Sequence, residues 1–125
     1  MDNIRFTKEH EWLRTETDGR VTVGITDYAQ QQLGDIVYVE LPRVGQVFES
    51  GAEAVVIESV KAAGDIKLPI GGTVLEINGR LAASPELVNR DPLGEGWLFR
   101  IAAQDAAGMK DLMDADAYQE YVTGL

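Results

Sequence analysis

Short segments of β-type sequence, separated by turn residues, fill most of the first hundred of the 125 residues, and they limit the possible folds more than any other feature. In these segments apolar residues alternate with small or polar ones, or β-branched and aromatic residues form short runs. The segments lie at 21–25, 36–41, 54–60, 66–70, 73–77 and 97–101. Period-two alternation bounded by Gly and Pro is typical of strands. We therefore predict at least six short strands and a mainly β fold.

The helices predicted between these strands are few and short. We place Asp27 as the N-cap of a first helix that ends at Gly34, with Gln30 in the capping-box position. Ser84 begins the triplet Ser-Pro-Glu, which supplies the N-cap, proline and acidic residue that open a further turn or two of helix.

The C-terminal segment, about residues 105–123, is predicted to form two helical pieces, the first capped by Asp105. The apolar residues that share a face are Met109, Leu112 and Met113 in the first piece and Tyr118, Tyr121 and Val122 in the second. Spacings of three and four residues are typical of a helix that packs one side onto a core. We expect this segment to cover the strands.

One sequence pattern occurs twice. Leu-Pro-x-x-Gly-x-Val-x-Glu stands at 41–49 and again at 68–76, each time just after a predicted strand. We interpret the repeat as two similar halves packed face to face in a small β-sandwich or flattened barrel. A chain of this length suits one domain, which we place over residues 1–125.

The charge of the chain restricts its partners. With 21 acidic and 11 basic residues the formal net charge is −10, which repels nucleic acids and anionic membranes and favours basic docking surfaces. No apolar run approaches the roughly 20 residues of a membrane span, and the start of the chain lacks the apolar region of a signal peptide. We expect a soluble monomer, cytoplasmic in a bacterium or mitochondrial if a transit peptide was removed.

Most catalytic arrangements lack the residues they need. There is no cysteine and only one histidine, His10, so Cys/His nucleophilic pairs and clustered histidine or thiolate metal sites are excluded. Neither a Gly-x-Ser-x-Gly turn nor a phosphate-binding loop is present. We predict no catalytic residues, no metal site and no enzymatic activity.

Lys61 is the residue most clearly placed for a function. Two apolar strand segments flank it, which puts it at the tip of a hairpin over 54–70. Its neighbours Val60, Ala62 and Ala63 are small or apolar and leave the amine open. An enzyme that modifies a lysine needs such a tip, although a single lysine on a turn is most often only a solvated charge.

The residues around Lys61 resemble the lipoylation site of glycine cleavage system H proteins. The matching run is Glu-Ser-Val-Lys-Ala-Ala at 58–63. Further blocks that resemble the family follow its order: HEW at 10–12, VGITD at 23–27, LGD at 33–35, VELP at 39–42, SPELVN at 84–89 and GEGW at 94–97. The resemblance runs from about residue 6 to residue 102.

The resemblance implies a fold, a cofactor and partners. The fold would be a barrel-sandwich hybrid of two small antiparallel sheets, and lipoic acid would be attached to Lys61 by lipoylating enzymes. The lipoyl group would take the aminomethyl group of glycine from a pyridoxal-phosphate glycine decarboxylase and deliver it to a tetrahydrofolate-dependent aminomethyltransferase. Dihydrolipoyl dehydrogenase would reoxidise the dithiol. The chemistry would then belong to the cofactor and these partners.

The resemblance also places a cleft that docks the loaded arm near Glu11, Gln32 and Asp65, with Glu9 and His10 close by. A cationic amine at the end of the arm favours carboxylate and amide oxygens within an apolar wall. Gln32 stands where some family members have histidine, which puts a titrating role at that position in doubt.

Other carrier families fit the sequence less well. Biotin carrier domains usually place methionines around their lysine, where this chain has Val60 and Ala62. Lipoyl domains of 2-oxoacid dehydrogenase complexes typically have Asp before the lysine and flexible linkers to other domains, and this chain has neither feature. A related lipoyl relay or regulatory protein outside glycine cleavage stays open, because the same hairpin would serve it.

Overall fold

The computed structural model describes residues 3–104 and 106–125, in which the strands form two antiparallel sheets. The larger sheet contains, in order across it, β1 (Ile4–Phe6), β2 (Glu11–Thr15), β3 (Val21–Ile25), β9 (Phe99–Ala103), β8 (Gly72–Ile77) and β5 (Val47–Phe48). The smaller sheet contains β4 (Ile36–Glu40), β6 (Glu53–Ser59) and β7 (Ala63–Lys67). The mainly β, two-sheet prediction is confirmed.

The main core lies between the two sheets. Leu13, Val23 and Phe99 of the larger sheet and Ile57 of the smaller one have no exposed surface and belong to one apolar cluster. Complete burial of one such side chain stabilises the fold by roughly 1.5–3 kcal/mol. The apolar residues that alternate in the sequence therefore lie on the inner face of each sheet, as the pattern predicts.

The repeated Leu-Pro segments make the same crossing twice. Each leaves the smaller sheet, the first after β4 and the second after β7, and enters the larger sheet at β5 or β8. The two copies then pair with each other, with Val47 opposite Thr73, and Val74 N donates to Gln46 O at 2.8 Å. The repeat thus marks equivalent corners of the two-sheet fold.

Two predicted strands are displaced and three were missed. The segment expected at 66–70 forms β7 three residues earlier, since Pro69 has no N–H to continue the pairing. The segment expected at 97–101 forms β9 two residues later. The missed strands are β1, β2 and β5, of which β1 and β5 have only three and two residues.

Two helix caps differ from the prediction. The first helix, α1 (Asp27–Leu33), is capped by Thr26, whose hydroxyl accepts from Ala29 N at 3.2 Å, so the assignment of Asp27 as N-cap is wrong. It ends at Gly34 as predicted. The second, α2 (Leu87–Arg90), has Glu86 at its N-cap position and no side-chain cap, so the assignment of Ser84 is also wrong.

The C-terminal segment is helical in two pieces. Asp105 lies outside the described residues; a 3-10 helix spans Ala106–Asp111, and α3 (Ala115–Thr123) follows. Met109 and Leu112 pack on the main core, as expected. Met113 does not share their face, because its backbone pairs with that of Phe6 and its side chain packs with Phe6, Trp12 and Tyr118 in a second apolar cluster. In that cluster Tyr118, Tyr121 and Val122 join α3 to the larger sheet, as their spacing predicts.

Candidate functional site

The hairpin formed by β6 and β7 presents Lys61 at its tip. Glu58 pairs with Ala63 across the hairpin, and Ser59 N donates to Ala62 O at 2.8 Å to close the turn. The Ser59 hydroxyl accepts from Lys61 N at 3.3 Å and from Ala62 N at 3.0 Å. The shape of the tip is therefore fixed by one serine, which satisfies the backbone N–H groups on both sides of the lysine side chain.

The amine of Lys61 is open to an approaching enzyme. Lys61, Ala62 and Ala63 are exposed, and Val60 keeps 69% of its surface accessible. Among residues 3–104 and 106–125, no carboxylate lies within ion-pair distance of the Lys61 ammonium. An amine without a competing carboxylate is available for acylation once it is deprotonated.

Glu11 is a buried carboxylate at the start of β2. It is only 2% exposed, its Oε1 accepts from the Thr7 hydroxyl at 3.3 Å, and its Oε2 accepts from Lys67 N at 3.1 Å. Burial raises the pKa of the Glu11 carboxyl to about 7 against the effect of these hydrogen bonds. At neutral pH this group therefore exists in both charge states.

A cavity of about 440 Å³ opens beside Glu11, between the larger sheet and the 3-10 helix. Its lining residues are Phe6, Thr7, Lys8, Glu9, Glu11, Gly51, Lys67, Leu68, Pro69, Asp111, Leu112 and Met113. Most of the exposed wall is apolar, and its charged residues are three carboxylates and two lysines. The volume lies in the range of small-ligand sites. Neither Thr7 nor Met113 carried a sequence signal for such a role.

Only some of the predicted cleft residues lie along strand β7, which leads away from Lys61. Glu11 bonds to the backbone of Lys67, and the exposed Asp65 stands two residues earlier on the same face of the strand. Gln32 is exposed on α1 and does not line the cavity, although Glu9 does. Six residues of extended chain, at most about 20 Å, separate Lys61 from Lys67.

His10 points away from the cavity, toward a cluster of tyrosines. Its φ of +71° is in the left-handed region, which is uncommon for a residue other than glycine. Its Nδ1 lies 2.8 Å from Tyr118 Oη, and its ring contacts those of Tyr28 and Tyr121. Burial lowers the pKa of the imidazole. His10 thus links the β1–β2 turn to α1 and α3.

Two further features of the described part of the chain, its acidic and histidine side chains and its helix lengths, bear on other functions. Within it, no group of three or more His, Asp or Glu side chains is arranged to hold a metal ion. None of its helices is long and apolar enough to cross a membrane.

The fold and the site together define a class of protein, a small β carrier domain that offers one lysine at the tip of a hairpin. Comparison with known proteins identifies the family: the profile of the Glycine cleavage H-protein family matches residues 4–124. The glycine cleavage system H protein 1 of Pseudomonas putida is 57% identical over 118 residues, 94% of this chain and 92% of that protein. The H protein of Alkalilimnicola ehrlichii is 50% identical over 97% of this chain and 93% of its own length.

A solved structure agrees with these relatives. The crystal structure of a glycine cleavage system H protein from Mycobacterium marinum superposes with a TM-score of 0.87 and 33% identity, covering 100% of this chain and 99% of that one. The chain belongs to the glycine cleavage H-protein family. It has the barrel-sandwich fold and is a lipoyl carrier rather than a catalyst, in a family that works with the glycine cleavage enzymes.

Proposed function

We propose that this chain carries lipoic acid in amide linkage on Lys61 and moves the aminomethyl group of glycine between enzymes. The observation that carries the proposal is the exposed amine of Lys61, not ion-paired within the described part of the chain, on a turn ordered by Ser59. When bound, the lipoyl group supplies a disulfide that accepts the aminomethyl group. This chain supplies the amine, a fixed attachment point and a surface for docking.

The proposed partners act in sequence on the same arm. Lipoylating enzymes attach the cofactor; glycine decarboxylase, aminomethyltransferase and dihydrolipoyl dehydrogenase then load, unload and reoxidise it. Each must reach Lys61, which is exposed at the hairpin tip and has no carboxylate of residues 3–104 or 106–125 within ion-pair distance. The proposal assumes a monomer, in the cytoplasm of a bacterium like those of the relatives.

We also propose that the cavity beside Glu11 shelters the loaded end of the arm. A lipoyl-lysine side chain has about twelve bonds from Cα to sulfur and reaches roughly 15 Å, at somewhat over 1 Å a bond. Extended along β7, it would pass Asp65 and end near the mouth of the cavity. A cationic amine there would lower the pKa of Glu11 and hold it ionised, since an opposite charge favours the carboxylate. Gln32 would contact the arm only nearer the lysine.

Attachment at Lys61 is tested by lipoylation of the purified protein followed by peptide mapping. We expect the added mass on the peptide that contains Lys61. Lys61→Arg should fold normally and accept no lipoyl group, because arginine keeps the charge but forms no such amide. Lys67→Arg is the matched control, and it should be lipoylated like the natural protein. A lipoyl group found on Lys67 or Lys110 would contradict the proposal.

The shuttling role is tested separately with glycine decarboxylase. The lipoylated protein should support release of carbon dioxide from glycine at a rate that saturates with its concentration. A lipoylated protein that supports none would point instead to a lipoyl relay or regulator outside glycine cleavage.

A further inference from the structure

Lys61 does not stand alone at the tip, because its side chain folds back over the connection between α1 and β4. A methyl group placed on Gly34 would lie 3.1 Å from Lys61 Cε and 3.8 Å from its Nζ. Only a glycine, with a φ of +81° and no Cβ, leaves this space to the lysine stem. The far half of the lysine side chain therefore rests on bare backbone.

The same connection also holds the backbone of the tip. Val60 N donates to Asp35 O at 3.0 Å, which ties the residue before the lysine to the residue after Gly34. On the other side of the turn, the Leu33 side chain lies next to Gly64 of β7. We call residues 33–36, which contact the hairpin tip on both sides of the turn, the platform.

One side chain fixes the shape of the platform. Asn89 Nδ2 donates to Gly34 O and to Gln30 Oε1, both at 2.9 Å, and Asn89 Oδ1 accepts from Ile36 N at 2.9 Å. Both donors and the acceptor of its amide are thus used on the end of α1 and the start of β4, next to the Lys61 side chain. Asn89 itself belongs to α2, which Leu87 and Val88 anchor in the main core.

From this arrangement we infer that Asn89 is a positioning residue for the lipoyl arm, acting through Gly34 and Asp35 to set the direction in which the Lys61 side chain leaves the protein. The inference rests on the proposed attachment at Lys61. It adds a residue that contacts neither the lysine nor the cofactor. Without Asn89 the end of α1 and the start of β4 lose their hydrogen bonds to α2, and the backbone under the lysine stem is held less firmly.

Two variants and one control separate positioning from stability. Asn89→Asp keeps the acceptor for Ile36 N but turns a second oxygen toward Gly34 O and Gln30 Oε1. Gly34→Ala keeps the Asn89 side chain but puts a methyl group into the space of the lysine stem, at a φ of +81° that strains alanine. Asn78→Ala is the control, because Asn78, which is buried, likewise bonds two carbonyls and one backbone N–H, those of Glu95, Trp97 and Arg80.

The first measurement does not depend on lipoylation. The chain has no cysteine, so Lys61→Cys creates a single site for a nitroxide spin label. We expect a restricted spectrum in the otherwise natural background and in the Asn78→Ala background, and a more mobile spectrum with Asn89→Asp or Gly34→Ala. The inference would be overturned by a label with the same mobility in every background. It would also be overturned if Asn78→Ala made the label as mobile as Asn89→Asp does.

The second measurement uses the chain with Lys61 intact and a lipoate–protein ligase. A misdirected lysine should lower kcat about tenfold while KM stays within about twofold, since docking of the protein is unchanged and only the reacting amine is misplaced. Asn78→Ala should leave both constants unchanged. If kcat for Asn89→Asp equals that of the natural protein, the inference is wrong. If the natural protein is lipoylated at another residue, the proposed attachment at Lys61 fails. The spin-label measurement still tests whether Asn89 orients the side chain at position 61.

Discussion

The ionisation of Glu11 is the residue-scale feature that ties folding to pH. Its carboxyl titrates near an ordinary 4.5 in the unfolded chain and at about 7 in the fold, because burial opposes the charge. A raised pKa means that the protonated form favours folding. This stability is complete below pH 4.5 and is lost as the pH rises through 7.

Glu11→Gln should therefore become more stable than the natural protein as the pH rises. Glutamine keeps an acceptor for Lys67 N and places a donor near Thr7, without the buried charge. Between pH 5 and pH 8 the difference in free energy of unfolding should shift by about 2 kcal/mol in favour of the variant. Urea denaturation at the two pH values measures it. Glu9→Gln, at an exposed neighbour whose charge adds to the rise in the Glu11 pKa, should show a much smaller shift in the same direction.

Glu11→Ala tests the proposed shelter for the arm. Removing the carboxylate takes away the group that would pair with the cationic amine, so the aminomethyl group should be lost faster from the isolated loaded protein. Lipoylation should barely change, because Lys61 is at the other end of β7. The rate of loss is followed by mass spectrometry. An unchanged rate would remove Glu11 from the docking site.

At the scale of elements, the hairpin tip depends on one hydroxyl. Ser59→Ala removes the acceptor for Lys61 N and Ala62 N, which should cost about 1 kcal/mol and loosen the turn. We expect slower lipoylation. Ser50→Ala is the control, because the Ser50 hydroxyl likewise bonds to the backbone, donating to Pro69 O, but lies away from the tip. Equal lipoylation rates for the two variants would show that the hydroxyl does not shape the site.

Elements with a regular apolar pattern could be predicted from the sequence, and long-range polar contacts could not. The alternation at 21–25 gives β3 with the predicted bounds, whereas the two-residue β5 exists only because the other copy of the repeat pairs with it. Burial of Glu11 ran against the usual exposure of charged residues. The bonds from Asn89 join residues more than fifty positions apart, and no local pattern predicts them.

At the scale of the whole molecule, charge gathers beside the arm. On the outer face of the smaller sheet, cross-strand pairing puts Glu58 between Tyr38 and Ala63, and Glu40 level with Asp65. Glu40, Glu58 and Asp65 are all exposed there. The net charge of −10 therefore has a local concentration close to Lys61.

Binding to glycine decarboxylase should accordingly weaken as salt is added. Exposed charges are screened over about 8 Å at physiological ionic strength, so attraction between an acidic face and a basic docking surface falls as the ionic strength rises. Kd measured by titration calorimetry should rise several-fold between low and high salt. A Kd that is flat across this range would show that the acidic face does not steer docking.

The pairing of the two repeat segments also has a consequence for the order of folding. Val47 and its partner Thr73 are separated along the chain by 26 residues (73 − 47), and the whole β6–β7 hairpin lies within that loop. Hairpins close within microseconds, and closing the hairpin first shortens the loop that the β5–β8 pairing must then close. Asn89, by contrast, reaches Gly34 only after distant parts of the chain have met. The turn that carries Lys61 should thus form early in folding, and the contacts that orient the Lys61 side chain should form late.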